Sequence, residues 1–351
     1  MDFTFTEDQL LFQESVRDFL VNEVTTESIR ALWDTPTGRS DALWQQLAEM
    51  GLTGMTVPED QGGLGMNAVD FVLLAKECGY VALPENLVDT ALVAVPLLAG
   101  LPASEARDEC LQKIASGEAR IAVGHARNPL VTDAHVANVW LMQHGDEVHV
   151  VKARKKDVRR NESVDPSRRL HSVTWQPKPA TCVADGAKGR ALWKQALNGG
   201  ALGAAAEALG LAQRMIDLSV QYTSERQQFG KPIGSFQAVK HHLANVAVQL
   251  EYAKAPVYRA AWSLANGHRH AGVHVSHAKI AATEAALLAA KNCIQVHGAM
   301  GYTWEVDLHI FMKRAWALDG AWGDRAFHKT RVAKFALKDN ALIGAGNTFV
   351  A

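Results

Sequence analysis

The chain has 351 residues, 48% of them hydrophobic, which is enough to build two or three structural layers rather than one small module. A formal net charge of -1 leaves no basic excess for nucleic acid and no acidic excess for a solvating tail. The four cysteines, Cys78, Cys110, Cys182 and Cys293, form no CxxC or CxxxC pair, so no structural zinc site or disulfide framework is indicated, and free thiols suit a reducing cytoplasm.

The opening MDFTFTEDQLLFQ is acidic and polar where a secretory signal is basic and then apolar. Thr6 and Gln9 fit a capping box, and Phe12, Val16, Phe19, Leu20 and Val21 follow at helical spacing. A second helix, Ala42 to Met50, places Leu43, Trp44 and Leu47 inward and stops at Gly51. The Gly-rich loop Pro58 to Gly65 precedes a helix from Ala68 to Cys78, and Ser104 caps another that ends near Gly117. The most apolar run, Ala91 to Leu101, contains Pro96 and is too short for a membrane span, so the expectation is a soluble, cytoplasmic protein.

From residue 118 to 178 the pattern turns to short β-type runs: Ile121 to Val123, Val139 to Met142, Val148 to Val151 and Ser172 to Trp175. His144-Gly145-Asp146-Glu147 reads as a hairpin turn, and the basic run Lys152 to Arg160 as a solvated loop or edge. Beyond it, periodic Ala- and Leu-rich stretches predict helices over 201–225, 235–265, 273–296 and 307–337, long enough for antiparallel bundle packing. The expected organisation is therefore mainly α with a small β-domain: an N-terminal helical domain (1–117), a short middle β-domain (118–178) and a C-terminal helical bundle (179–351).

Two stretches carry the chemistry. In SERQQFGKPIGSFQAVKH, the Arg226 guanidinium suits bidentate phosphate recognition, Phe229 offers a flat face to a ring, and Gln237 offers an amide to a polar ring edge. An ordinary interhelical loop with a surface arginine fits the same residues. In QVHGAMGYTWE, Gly298 lets backbone approach a ligand, although helix C-caps also use glycine. No GxGxxG follows a strand, so a Rossmann reading fails. Among His268, His270, His274 and His277 only one pair, His270 and His274, has i, i+4 spacing, and no carboxylate accompanies it, so no metal is expected.

Together, ERQQFGKPIGSFQAVKHHLA and QVHGAMGYTWEVDLHIFMKRA resemble the acyl-CoA dehydrogenase family, as do VPEDQGGLGM near the start and DPSRRL in the middle. The resemblance covers nearly the whole chain. It implies an N-terminal helical domain, a β-domain and a four-helix bundle. It also implies FAD-dependent oxidation of an acyl-CoA to its enoyl-CoA, with electrons passed to an electron-transfer flavoprotein. By position, Arg226, Gln228, Phe229, Gln237, Gln295, Gly298 and Ala299 would be FAD contacts, made in trans to a cofactor held mainly by a neighbouring subunit.

Three departures follow from the same resemblance. The family's Thr-Glu and Gly-Ser-Asp stretches have no counterpart between 118 and 178. The two positions where the family places its catalytic carboxylate fall at Gly323 and Gly200. Asp324, and behind it Glu207, are replacement candidates, each equally readable as an ordinary helix-end or surface acid. The resemblance therefore points to the shortened subunit of a bacterial heteromeric enzyme, a heterotetramer with a second acyl-CoA dehydrogenase-like chain acting on bulky substrates such as steroid side-chain CoA thioesters. A self-sufficient homo-oligomer with a displaced base, a flavin-free structural subunit and a related flavin monooxygenase or nitroalkane oxidase stay open.

Overall fold

The computed structural model describes residues 4–338 and Gly344. The remainder of the expected 1–117 and 179–351 domains lies outside the described residues. The chain begins with α1 (Glu7–Glu23), α2 (Thr26–Trp33), α3 (Asp41–Glu49) and α4 (Ala68–Tyr80). The Thr6 box forms as expected, with Oγ1 accepting from Gln9 N–H at 3.2 Å and Gln9 Oε1 accepting from Thr6 N–H at 2.9 Å. The apolar run near Pro96 is a compound helix made of α5 (Leu87–Asp89), a π turn (Thr90–Ala94) and α6 (Val95–Ala99). It is buried against the bundle, and α7 (Glu105–Ala115) closes the region.

Two small sheets follow. Strand β1 (Ile121–Gly124) pairs in parallel with β3 (Val139–His144). Strand β3 forms a hairpin with β4 (Glu147–Lys152), and β4 pairs with β7 (Cys182–Ala184). The other sheet joins β2 (Val131–Thr132), β6 (Leu170–Val173) and β5 (Val158–Asn161). The basic run thus ends as an edge strand, with Arg159 and Arg160 exposed. The β layer reaches Ala184, past the expected boundary at 178, because β7 completes the first sheet.

The rest is helical: α8 (Gly186–Glu225), α9 (Gln237–Ala265), α10 (Ala271–His297), α11 (Leu308–Gly320) and α12 (Arg325–Ala336), with a short hairpin of β8 (Gln227–Gln228) and β9 (Lys231–Pro232) after α8. Helix α8 starts 15 residues before the expected 201. Glycines hid its first turns, since glycine is a poor helix former. Two of them sit where neighbouring backbone comes too close for a side chain: a Cβ on Gly189 would overlap Asp146 O, and one on Gly199 would overlap Leu92 O. Further along, a Cβ on Gly79 would overlap Glu207 O, and one on Gly210 would overlap Lys76 O, so α4 and α8 lie backbone against backbone. The single helix expected over 307–337 is two, broken where Trp322 (φ 56°) and Gly323 (φ 102°) take left-handed backbone. No helix among the described residues is long and apolar enough to cross a membrane.

Candidate functional site

At one end of the bundle, the α8–α9 connection meets the end of α10. The Tyr222 ring stacks on His297 at 4.3 Å, and His242 bonds Asn292 at 2.5 Å, so both joints tie the same ends together. The β8–β9 hairpin turns through Phe229 (φ 55°) and Gly230 (φ 76°), the paired positive angles of a tight two-residue turn. A large side chain is uncommon in that conformation. Here it leaves Phe229 92% exposed, its ring edge-on to Phe236 at 6.2 Å. Arg226, Gln228, Gln237 and Gln295 are exposed on the same end, and Arg226 makes no ion pair among the described residues. Gly298 sits at φ 58°, ψ -137°, a conformation essentially reserved for glycine. An added Cβ there meets nothing within 4 Å, so the surface beside it is open. Tyr302 and Trp304, 79% and 64% exposed, belong to the adjoining α10–α11 segment.

The sequence-predicted set Arg226, Gln228, Phe229, Gln237, Gln295, Gly298 and Ala299 is thus carried on one open face. A guanidinium, carboxamides, free backbone and a bare aromatic ring are what a diphosphate joined to a heterocycle requires.

Midway along α8 the opposite holds. A cavity of about 40 Å³ lies between α5, the β6 approach and the bundle. It has room for a few waters. Asp89, Arg168, Glu207, Arg314 and Trp322 line it. Arg314 is paired with Asp165 and donates to Leu83 O at 2.9 Å. Burial pushes Glu207 up to about 7, only partly opposed by Arg314. Burial also raises Asp89 to about 6 against Arg168 and a Trp322 Nε1–H donation at 2.9 Å. Asp89 and Trp322 gave no sequence signal, and Arg168 gave one only as part of the DPSRRL stretch. Glu207 gave one only as an acid on the first bundle helix.

Trp322 is 2% exposed and held from every side. Its backbone N–H donates to Asn128 Oδ1 at 2.8 Å, its carbonyl accepts from His328 Nε2–H at 3.1 Å, and its ring lies 5.6 Å from that of His125. Gly200 faces that indole directly, and any Cβ would overlap it. A Cβ on neighbouring Gly323 would meet Phe327 Cδ1 at 2.5 Å. Asp324 points away: exposed, it caps α12 by accepting from Phe327 N–H at 2.8 Å.

At the other end of the bundle a cleft of about 550 Å³ separates the α4 entry and α6 from the α9–α10 turn, with Met66, Leu92 and Pro96 on one wall and Lys194, Asn198 and Arg269 on the other. Of the four clustered histidines, His274 is taken up in packing, bonded to Ser263 Oγ at 2.8 Å and Arg259 Nη2 at 2.9 Å. Burial pushes it down to about 3.

The descriptions "Acyl-CoA dehydrogenase, N-terminal domain" and "Acyl-CoA dehydrogenase, C-terminal domain" match residues 6–118 and 187–337. The chain is 30% identical over 311 residues to acyl-CoA dehydrogenase IpdE2 of Mycobacterium tuberculosis, covering 88% of this chain and 91% of that one. The chain belongs to the acyl-CoA dehydrogenase family. Two solved structures share the family fold with this chain. The ChsE4-ChsE5 complex from Mycobacterium tuberculosis superposes with a TM-score of 0.83 at 22% identity, covering 97% of this chain and 100% of that one. The Tcur3481-Tcur3483 steroid acyl-CoA dehydrogenase variant gives 0.83 at 22%, covering 93% and 97%. The expected family and its three-part fold, helical then β then helical, are therefore present. Within that fold, the two glycines aligned with the family's carboxylate positions are both walled in, Gly200 by the Trp322 ring and Gly323 by Phe327 and His328.

Proposed function

We propose that this chain is the lending subunit of a heteromeric, FAD-dependent acyl-CoA dehydrogenase. One observation carries the reading: Trp322 fills the space at Gly200 and Phe327 and His328 that at Gly323, while the seven-residue face at the bundle end stays open. Arg226 would hold a diphosphate, Phe229 and Gln237 the adenosine end, and Gln295 and the Gly298–Ala299 backbone the remaining phosphate oxygens. The bound flavin would supply the hydride acceptor. This chain's own part is to grip and orient. Its interior offers a few waters' volume where a thioester and its base would have to fit.

The substrate class is an acyl-CoA. The mixed apolar and cationic walls of the large cleft, with Lys194 and Arg269, suit an acidic, partly apolar thioester. The likeness to a steroid acyl-CoA dehydrogenase supports a bulky acyl group. The electron acceptor would be an electron-transfer flavoprotein, met by the assembled complex. A second reading, a self-sufficient homo-oligomer, is favoured by one feature: Glu207 near neutral pKa inside the fold, a poise that suits a general base. The small cavity weighs against it.

Flavin content separates the two. The chain is purified alone and after co-expression with a second acyl-CoA dehydrogenase-like chain, and visible absorbance is read per chain. Little flavin alone and about one per unlike pair is the expected result. A full complement in the chain alone, with acyl-CoA oxidation, would overturn the proposal.

A further inference from the structure

The β3–β4 hairpin, far from the bundle end, gathers three side chains from one short stretch. His144 Nδ1 and His149 Nε2 each lie 3.0 Å from the same Glu147 oxygen, Oε2. The three ligand atoms all fall within 4.8 Å of one another. Strand geometry explains the convergence. Residues 147 and 149 share a face of β4, and the tight turn at Gly145 (φ 58°) brings His144 back opposite Glu147 in the ladder.

The hydrogen bonding of His149 decides what that convergence is for. His149 is buried, 1% exposed. Its Nδ1 lies 2.9 Å from Thr181 Oγ1, and the Thr181 hydroxyl donates its one proton to Lys178 O at 3.0 Å. Thr181 therefore accepts from His149, and Nδ1 carries the ring proton. In the neutral ring Nε2 is then a bare lone pair aimed at a carboxylate oxygen. Two lone pairs at that distance repel unless a cation lies between them. A tetrahedral ion with bonds of about 2.0–2.1 Å sets its ligand atoms roughly 3.3 Å apart, close to the 3.0 Å that separates each imidazole nitrogen from Glu147 Oε2.

We propose that His144, Glu147 and His149 form a binding site for a divalent transition metal of the zinc class, with Thr181 as the positioning residue that fixes the His149 tautomer. The set is two imidazoles and one carboxylate, with a coordination position left for water. Thr181 plays the outer-shell part that metal-binding histidines generally require. The ion would pin the hairpin where it docks on the bundle: Trp193 Nε1–H donates to Glu147 O at 2.9 Å, and Arg190 pairs with Asp146 at 2.6 Å. The His-x-x-Glu-x-His spacing is visible in the sequence. This inference does not depend on the flavin reading.

The test is titration of the full chain, freed of metal by chelation, with Zn²⁺ by calorimetry and with Co²⁺ by visible absorbance. One equivalent per chain is expected, with a Co²⁺ band diagnostic of low coordination number and a raised Tm. His144→Ala is exposed enough to fold, and it should weaken Zn²⁺ at least tenfold. Thr181→Ala keeps all three ligands and should weaken it about 10–100-fold. No stoichiometric binding by the folded chain would overturn the site. Binding that His144→Ala and Thr181→Ala leave unchanged would overturn it equally.

Discussion

One helix serves two unlike regions. Where α8 ends, it delivers Arg226 into open space and is followed by a turn that holds Phe229 outward in left-handed backbone. Where α8 passes Gly200, it is sealed beneath an indole bound by Asp89, Asn128 and His328. The sealed region is explained from within: every polar group on Trp322 has a partner and its ring is packed. The open region has no such internal explanation. An exposed phenylalanine at positive φ adds little to this chain's own stability, and on the proposed reading it is there for a bound molecule.

Breaking the sealed region should have the largest effect. Trp322→Ala removes a fully packed side chain and strands the Asp89 carboxylate, and the loss should be about 3–5 kcal/mol in urea unfolding. Unchanged stability would mean that the indole is not the plug. Glu207→Gln should act in the other direction. A carboxyl raised to about 7 when folded binds more protons than when unfolded, so its contribution is intact below the unfolded value and is lost as pH rises toward 7. The variant should therefore gain roughly 2–3 kcal/mol at pH 8 and nothing near pH 4.5. A gain that does not vary with pH would point to packing instead.

On the open side, Arg226→Ala in the co-expressed complex should lower flavin retention about 10–100-fold, the scale of one charge-assisted phosphate contact. The folding of this chain should be untouched. Full flavin in that variant would favour a flavin-free structural subunit. The smallest effect is expected at Asp324. Asparagine caps a helix about as well as aspartate, so Asp324→Asn should leave both the Tm and the activity of the complex unchanged. A collapse in rate with flavin retained would make Asp324 the displaced base.

The Thr6 box and the hairpin at Gly145 were legible in the sequence because local spacing and turn chemistry set them. The exposed face was legible only as two separate short stretches, Arg226 to Gln237 and Gln295 to Ala299, which the bundle brings together. The sealed region could not be read that way. Glycine at 200 and 323 announces an absence; what fills it at 200 is a tryptophan delivered by a chain reversal that looked like continuous helix, and at 323 the Phe327 and His328 side chains that follow the reversal. Two glycines of early α8 read as breakers when they mark close backbone contact, Gly189 with Asp146 and Gly199 with Leu92. Glu207 resembled a surface acid because its burial comes from elements more than a hundred residues away in sequence.

The length of α8 sets a further limit. At 1.5 Å per residue, the climb from Gly200 to Arg226 is roughly 39 Å. That interval is longer than one dinucleotide laid end to end. A single cofactor gripped by Arg226 therefore cannot put its reactive ring beside Gly200 of the same chain. Helix α8 acts as a ruler: whatever this chain holds at its far end, it holds at arm's length from its own interior. On the proposed reading, that separation would let one half of the molecule lose its chemistry while the other half keeps its grip.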